Sequence, residues 1–93
     1  MDKIVVVFTM NTCGFCEQFK TKLTENNIEF VNRDIHENKE DYDMFVKATG
    51  NDFVPSFMVV ESPYENPVSY LYAPGRDYED LDKALSIIKE HVG

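Results

Sequence analysis

The chain has 93 residues, 43% of them hydrophobic, with 17 acidic residues against 9 basic ones and a formal charge of -8. A chain this short makes one small domain, expected over residues 1–93, with little apolar area to spare. The excess of acid excludes a nucleic-acid backbone reader and a protein docking on anionic membrane, both of which need a basic face; its plain role is solubility.

Met1-Asp2-Lys3 leads directly into Ile4-Val5-Val6-Val7-Phe8. That run is rich in β-branched residues and has no polar alternation, which predicts a strand covered on both faces in an α/β sheet. It is too short for a signal h-region or a membrane span, so a cytoplasmic protein is expected; a monomer is expected as well. Thr9-Met10-Asn11-Thr12 is a short polar connection, with Thr12 placed to cap the next helix. From Cys13 to about Thr24, the recurrence of Phe15, Phe19 and Leu23 predicts an amphipathic helix. Asn26-Asn27 tolerate left-handed backbone and end it.

Ile28-Glu29-Phe30-Val31 predicts a second strand with Ile28 and Phe30 on one face. Asn38 is the predicted cap of a second helix carrying Tyr42, Phe45, Val46 and Thr49 at helical spacing, with Gly50 as its stop. Phe57 to Val60 and Val68 to Tyr72 read as strands joined by the turn-rich Ser62–Pro67, hence an antiparallel hairpin. Ala73-Pro74-Gly75 breaks the chain. Asp77 is predicted to cap a last helix with Leu81, Ala84, Leu85, Ile88 and Val92 on its apolar face. The order β-α-β-α-β-β-α gives an α/β fold, a four-stranded mixed sheet flanked by three helices.

The chemistry concentrates in Thr12-Cys13-Gly14-Phe15-Cys16, which holds the only two cysteines. A C-x-x-C at a strand-to-helix junction is the mark of a thioredoxin-like redox site. The spacing lets a disulfide close across one helical turn. The first thiol can lie at the helix N-terminus, where free N–H groups and the macrodipole favour a thiolate and bring its pKa from ~8.5 into the range of roughly 3.5–7.5. The second sits deeper and can resolve a mixed disulfide. Structural thiols or half a zinc site are the competing readings. In a reducing compartment a lone C-x-x-C is more often catalytic than structural, and His36 and His91 match no zinc spacing, so no metal site is expected. Glu17 and Lys20 read as a solvated helix face. Phe15, Phe19 and Phe53 are candidates for an apolar rim around the thiols, with Phe19 better suited to the core.

Val54-Pro55 stands just ahead of the third predicted strand. With the element order and the C-x-x-C, it makes the stretch from about Val5 to Met58 resemble the glutaredoxin family, on the thioredoxin fold. The resemblance implies that Cys13 is the nucleophile, Cys16 the resolving cysteine and Phe15 the aromatic residue between them. It also implies that Pro55 is cis and faces the active cysteine. A cis X-Pro there exposes the backbone of Val54, and an extended thiol substrate can pair with it as an added strand. The implied function is a thiol-disulfide oxidoreductase acting on protein or glutathione mixed disulfides, with no tightly bound cofactor. Glutathione is its reductant or substrate, and a thioredoxin-reductase-type enzyme is the other donor. Cys13-Gly14-Phe15-Cys16 also resembles the Cys-Gly-Phe-Ser of monothiol relatives that bind iron–sulfur clusters with glutathione, which makes a cluster carrier the alternative.

The chain departs from the family around glutathione. Met10 stands where the family usually has Lys, and Tyr42 where a basic or amide side chain helps hold the glycine carboxylate. Ala73-Pro74-Gly75-Arg76-Asp77 replaces a Gly-Gly-x-Asp-type turn, leaving Arg76 for a carboxylate and Asp77 for an ammonium. Glutathione is therefore expected to bind more weakly than in a typical member.

Overall fold

The computed structural model describes residues 3–61 and 66–92. In order these form β1 (Lys3–Thr9), α1 (Gly14–Glu25), β2 (Val31–Asp34), α2 (Lys39–Thr49), β3 (Ser56–Glu61), β4 (Val68–Tyr72) and α3 (Leu81–Val92). The predicted order holds throughout; of the predicted hairpin turn, residues 62–65 lie outside the described residues. None of the described helices is long and apolar enough to cross a membrane.

The sheet order is β2-β1-β3-β4. Parallel pairing sets Val6 opposite Val31 and Thr9 opposite Asp34. Antiparallel pairing sets Phe8 opposite Ser56, and then Phe57 opposite Tyr72. The continuous apolar run of β1 is explained by its central place, since alternate residues feed two separate cores. Val5 and Val7 pack with Phe19 and Leu23 of α1, Ala84 and Ile88 of α3, and Phe57, Val59 and Tyr78. Val6 and Phe8 face the other way, onto Tyr42 and Phe45 of α2 and Ala73. Each fully buried side chain of this size contributes about 1.5–3 kcal/mol, so β1 is the strand on which both layers depend.

Four local expectations change. Cys13, rather than Thr12, is the N-cap of α1, and its sulfur accepts a hydrogen bond from the Cys16 N–H. The buried stripe of α1 is Cys16, Phe19 and Leu23, with Phe15 left 66% exposed. Phe15 and Cys16 compete for the inward position in the first turn, and the small thiol takes it.

The second strand begins at Val31, later than Ile28. The helix terminator explains this. Asn27 adopts φ 57°, and the N–H groups of Asn27 and Ile28 bond to Thr24 O at 3.1 Å and Leu23 O at 2.9 Å. That is a Schellman closure. It commits the Ile28 N–H to α1 and lets Ile28 and Phe30 pack against the α1–α3 core outside the ladder.

Finally, Asp80 caps α3, accepting from the Lys83 N–H at 2.8 Å. Asp77 is occupied in the preceding turn, where it accepts from the Ala73 N–H at 2.8 Å. Asn38 and Gly50 do flank α2 as expected. Gly50 is left-handed with φ 69°, while the Asn38 side chain makes no capping bond and donates instead to Asp34 O at 3.0 Å.

Ser56 is 0% exposed, and its hydroxyl has no partner among the described residues. An orphaned buried hydroxyl costs about 1–3 kcal/mol. Ser56→Ala is therefore expected to raise the urea midpoint, by about 1 kcal/mol of stability. A drop of that size would show that the hydroxyl is bonded in solution.

Candidate active site

The pairing gathers four connections at one end of the sheet. β1 and β2 finish there at Thr9 and Asp34, β4 finishes at Tyr72, and β3 starts at Ser56 opposite Phe8. The connections 10–13, 35–38, 50–55 and 73–80 therefore share this end, and the cysteines open α1 from it.

Cys13 N donates to Met10 O at 3.3 Å, closing a turn, and Cys13 O accepts the first helical bond, from Glu17 N at 3.2 Å. The Cys13 sulfur lies 3.0 Å from Cys16 N, within the array of free N–H groups that opens α1. Cys13 and Cys16 form a disulfide with their Cα atoms 5.2 Å apart. The two ends differ in access. Cys13 is half-buried and Cys16 is 0% exposed. One sulfur can be reached from solvent, and its partner waits beneath it.

The Val54-Pro55 bond is cis, as expected from the resemblance. Pro55 is buried and Val54 half-buried. Sequence reasoning did not find what holds this segment. The Asn51 side chain accepts from the Phe53 N–H at 2.9 Å and donates to Pro74 O at 2.7 Å. Tyr42 OH donates to Asp52 O at 2.6 Å, and Tyr78 OH to Pro55 O at 2.5 Å. Three side chains, from α2, from the connection itself and from the loop after β4, thus fix the backbone on either side of Val54. Burial, and then nearby Asp77, push the Tyr78 phenol far above its usual range, so it remains a protonated donor. Burial and then Asp52 also raise the Tyr42 phenol.

Tyr78→Phe keeps the ring stacked on Phe57, whose centroid is 5.5 Å away, and removes only the donor. The expected cost is about 1–3 kcal/mol of stability, with a raised KM for disulfide substrates. Alkylation of reduced Cys13 should proceed at an unchanged rate. An unchanged KM would confine Tyr78 to packing.

The remaining predicted residues separate into two groups. Phe15 and Phe53 are 66% and 65% exposed, while Phe19 is 0% exposed and belongs to the core. Arg76 and Asp77 pair with each other, Nε to Oδ2 at 2.9 Å, and Arg76 also donates to Leu71 O at 2.9 Å. Lys20 is paired with Glu17 at 2.6 Å. His91 lies away from the cysteines, between Glu61 at 2.8 Å and Tyr72 at 2.6 Å.

The overall shape is similar to solved thioredoxin folds. The germline-specific thioredoxin Deadhead of Drosophila melanogaster matches at 14% identity with a TM-score of 0.60, over 98% of this chain and 82% of that one. The Trx4 domain of ERdj5 matches at 14% identity with a TM-score of 0.54, over 98% of this chain and 80% of that one. No curated protein matches the sequence. The Glutaredoxin family model matches residues 5–61, a stretch running from β1 through both cysteines and Val54-Pro55 to the end of β3, and on that match the chain belongs to the glutaredoxin family.

Proposed function

We propose that this protein is a dithiol disulfide reductase in which Cys13 attacks and Cys16 resolves; thiol-disulfide oxidoreduction is the activity class of its family. The observation that carries the reading is the Cys13 sulfur at the start of α1, accepting the Cys16 N–H at 3.0 Å and bonded to a fully buried Cys16. In the reduced protein the Cys13 thiolate attacks one sulfur of a substrate disulfide. That S–S bond breaks, a Cys13–substrate disulfide forms, and the other substrate sulfur leaves as a thiolate that takes up a proton. Cys16 then loses its proton and attacks the Cys13 sulfur, releasing the second substrate thiol and leaving Cys13–Cys16 oxidised. Two electrons pass from the dithiol to the substrate. No resident cofactor is needed, because the electrons are carried on sulfur.

Val54 offers its backbone to an extended substrate beside buried Pro55, and Phe15 adds an apolar contact. Glutathione, or a thioredoxin-reductase-type enzyme, restores the dithiol in a reducing, cytoplasmic setting. Glutathione meets a poor site. Arg76 and Asp77, the residues expected to receive its charged ends, already neutralise each other, and Met10 supplies no cation.

Turnover of a mixed disulfide with glutathione and its reductase, compared with thioredoxin reductase as donor, tests the reading; activity with neither would overturn it. Met10 is half-buried, so a lysine there gains a screened charge-assisted hydrogen bond of about 1 kcal/mol, roughly fivefold in affinity. Met10→Lys should accordingly lower the apparent KM for glutathione. An unchanged KM with efficient wild-type turnover would show that another cation already serves.

A further inference from the structure

Exposed aromatic surface and unneutralised acid coincide at the disulfide end of the sheet. Phe15 lies between the cysteines and Phe53 directly precedes Val54, and they are 66% and 65% exposed. The peptide unit that leads into Phe53 is held at both of its polar groups, the Phe53 N–H by Asn51 and the Asp52 O by Tyr42. The ring therefore stands exposed on rigid backbone. Of the cations nearby, Lys20 is neutralised by Glu17 at 2.6 Å, Lys22 by Asp82 at 2.8 Å, Lys39 by Asp43 at 3.1 Å and Arg76 by Asp77 at 2.9 Å. Arg33 of β2 donates instead to the neutral Asn38 side chain, and Lys47, in the last turn of α2, has no carboxylate partner among the described residues; the acids left unpaired outnumber these two. Lys83, in the first turn of α3, follows Asp80 and Asp82 in sequence. Glu37, Glu40, Asp52 and Glu79 are exposed and have no cationic partner among the described residues.

We infer that this face docks a peptide whose disulfide-bonded cysteine is flanked by an apolar side chain and by lysine or arginine, in preference to glutathione. The inference rests on the disulfide-reductase reading and narrows its substrate. Main-chain pairing at Val54 sets the register but is blind to side-chain charge. Phe15 and Phe53 supply apolar area for a neighbouring Leu or aromatic residue. The unpaired carboxylates choose the sign, since complementary fields accelerate encounter and like charge suppresses the wrong partner. Glutathione is a net anion and gains from neither feature.

The test uses three substrates: a short peptide mixed disulfide with Lys and Leu beside its cysteine, the same peptide with Glu in place of Lys, and glutathione disulfide. Each rate with the reduced protein is divided by the rate with dithiothreitol, which removes the substrate's own leaving-group reactivity. The Lys peptide is expected to react about tenfold faster than the Glu peptide at low salt, and the gap should close at high salt. Asp52→Lys should narrow the gap, and Phe53→Ala should slow both peptides. Equal normalised rates, a faster Glu peptide or glutathione, or a gap indifferent to salt would overturn the docking inference alone. Failure to reduce any of the three would overturn the reductase reading, and this inference with it.

Discussion

Cys13→Ser is expected to abolish disulfide reduction, and Cys16→Ser to stop it halfway. The asymmetry comes from where one helix begins. The Cys13 sulfur occupies the N-cap position of α1 and accepts a backbone N–H at 3.0 Å. A negative charge there is favoured by the first-turn N–H groups and the helix dipole, by about 0.3–1 kcal/mol when exposed and up to ~2 when partly buried. Cys16 is 0% exposed, and burial in apolar surroundings disfavours the charged form. Attack is therefore expected from Cys13. Serine at Cys13 leaves a buried thiol that substrates cannot reach. Serine at Cys16 leaves the attack intact but removes the thiol that releases the product, so a Cys13–substrate disulfide should accumulate. Mass spectrometry of the two variants, each reduced and then given one equivalent of a peptide disulfide, reads this directly. The adduct should appear in Cys16→Ser and be missing in Cys13→Ser. Equal residual turnover in both would reverse the assignment of roles.

The parts of the fold that were legible are those whose signal is local. The run Ile4 to Phe8 announces a doubly covered strand because every residue in it is apolar, and Val68 to Tyr72 is bounded by turn residues on both sides. The C-x-x-C and Val-Pro pairs were legible because each is a backbone device written in adjacent residues. The misplacements share one cause, a side chain with two competing local uses. Ile28 suits a strand, but its N–H closes α1. Asp77 and Asp80 both suit a cap; Asp77 was drawn away by the Ala73 N–H and Arg76, and Asp80 remained. Phe15 fits the apolar period of α1, yet Cys16 took the inward position. The clamp on residues 51–55 was not legible at all. Asn51 and Tyr78 find partners 23 residues away in the chain, and no periodicity or turn signal records such a meeting.

The largest loss of stability is expected from Phe57→Ala, and it should carry the site down with it. Phe57 is 0% exposed in β3, paired with Val7 of β1 and Tyr72 of β4. Its ring stacks on Tyr72 at 5.0 Å and on Tyr78 at 5.5 Å, and meets Phe19 of α1 at 5.7 Å. It therefore joins the central strands, α1 and the loop after β4 through a single side chain. Truncation removes the transfer energy of the ring and leaves a cavity that the sheet cannot collapse to fill, a cost of about 3–5 kcal/mol. Domains of ordinary size have about 5–15 kcal/mol in all, so at least about a fifth of the total is at stake. The site feels it through Tyr78. Without the ring beneath it, the phenol loses its seat and its bond to Pro55 O, and the Val54-Pro55 segment loses that hold. Urea denaturation of the oxidised protein and disulfide reduction by the reduced one should both decline, the second already below the unfolding transition. Phe53→Ala, only four positions earlier, supplies the contrast. Its ring is 65% exposed, so stability should stay within about 0.5 kcal/mol of wild type while peptide reduction slows. Equal stability losses in the two variants would mean that the division between a structural and a docking phenylalanine is wrong.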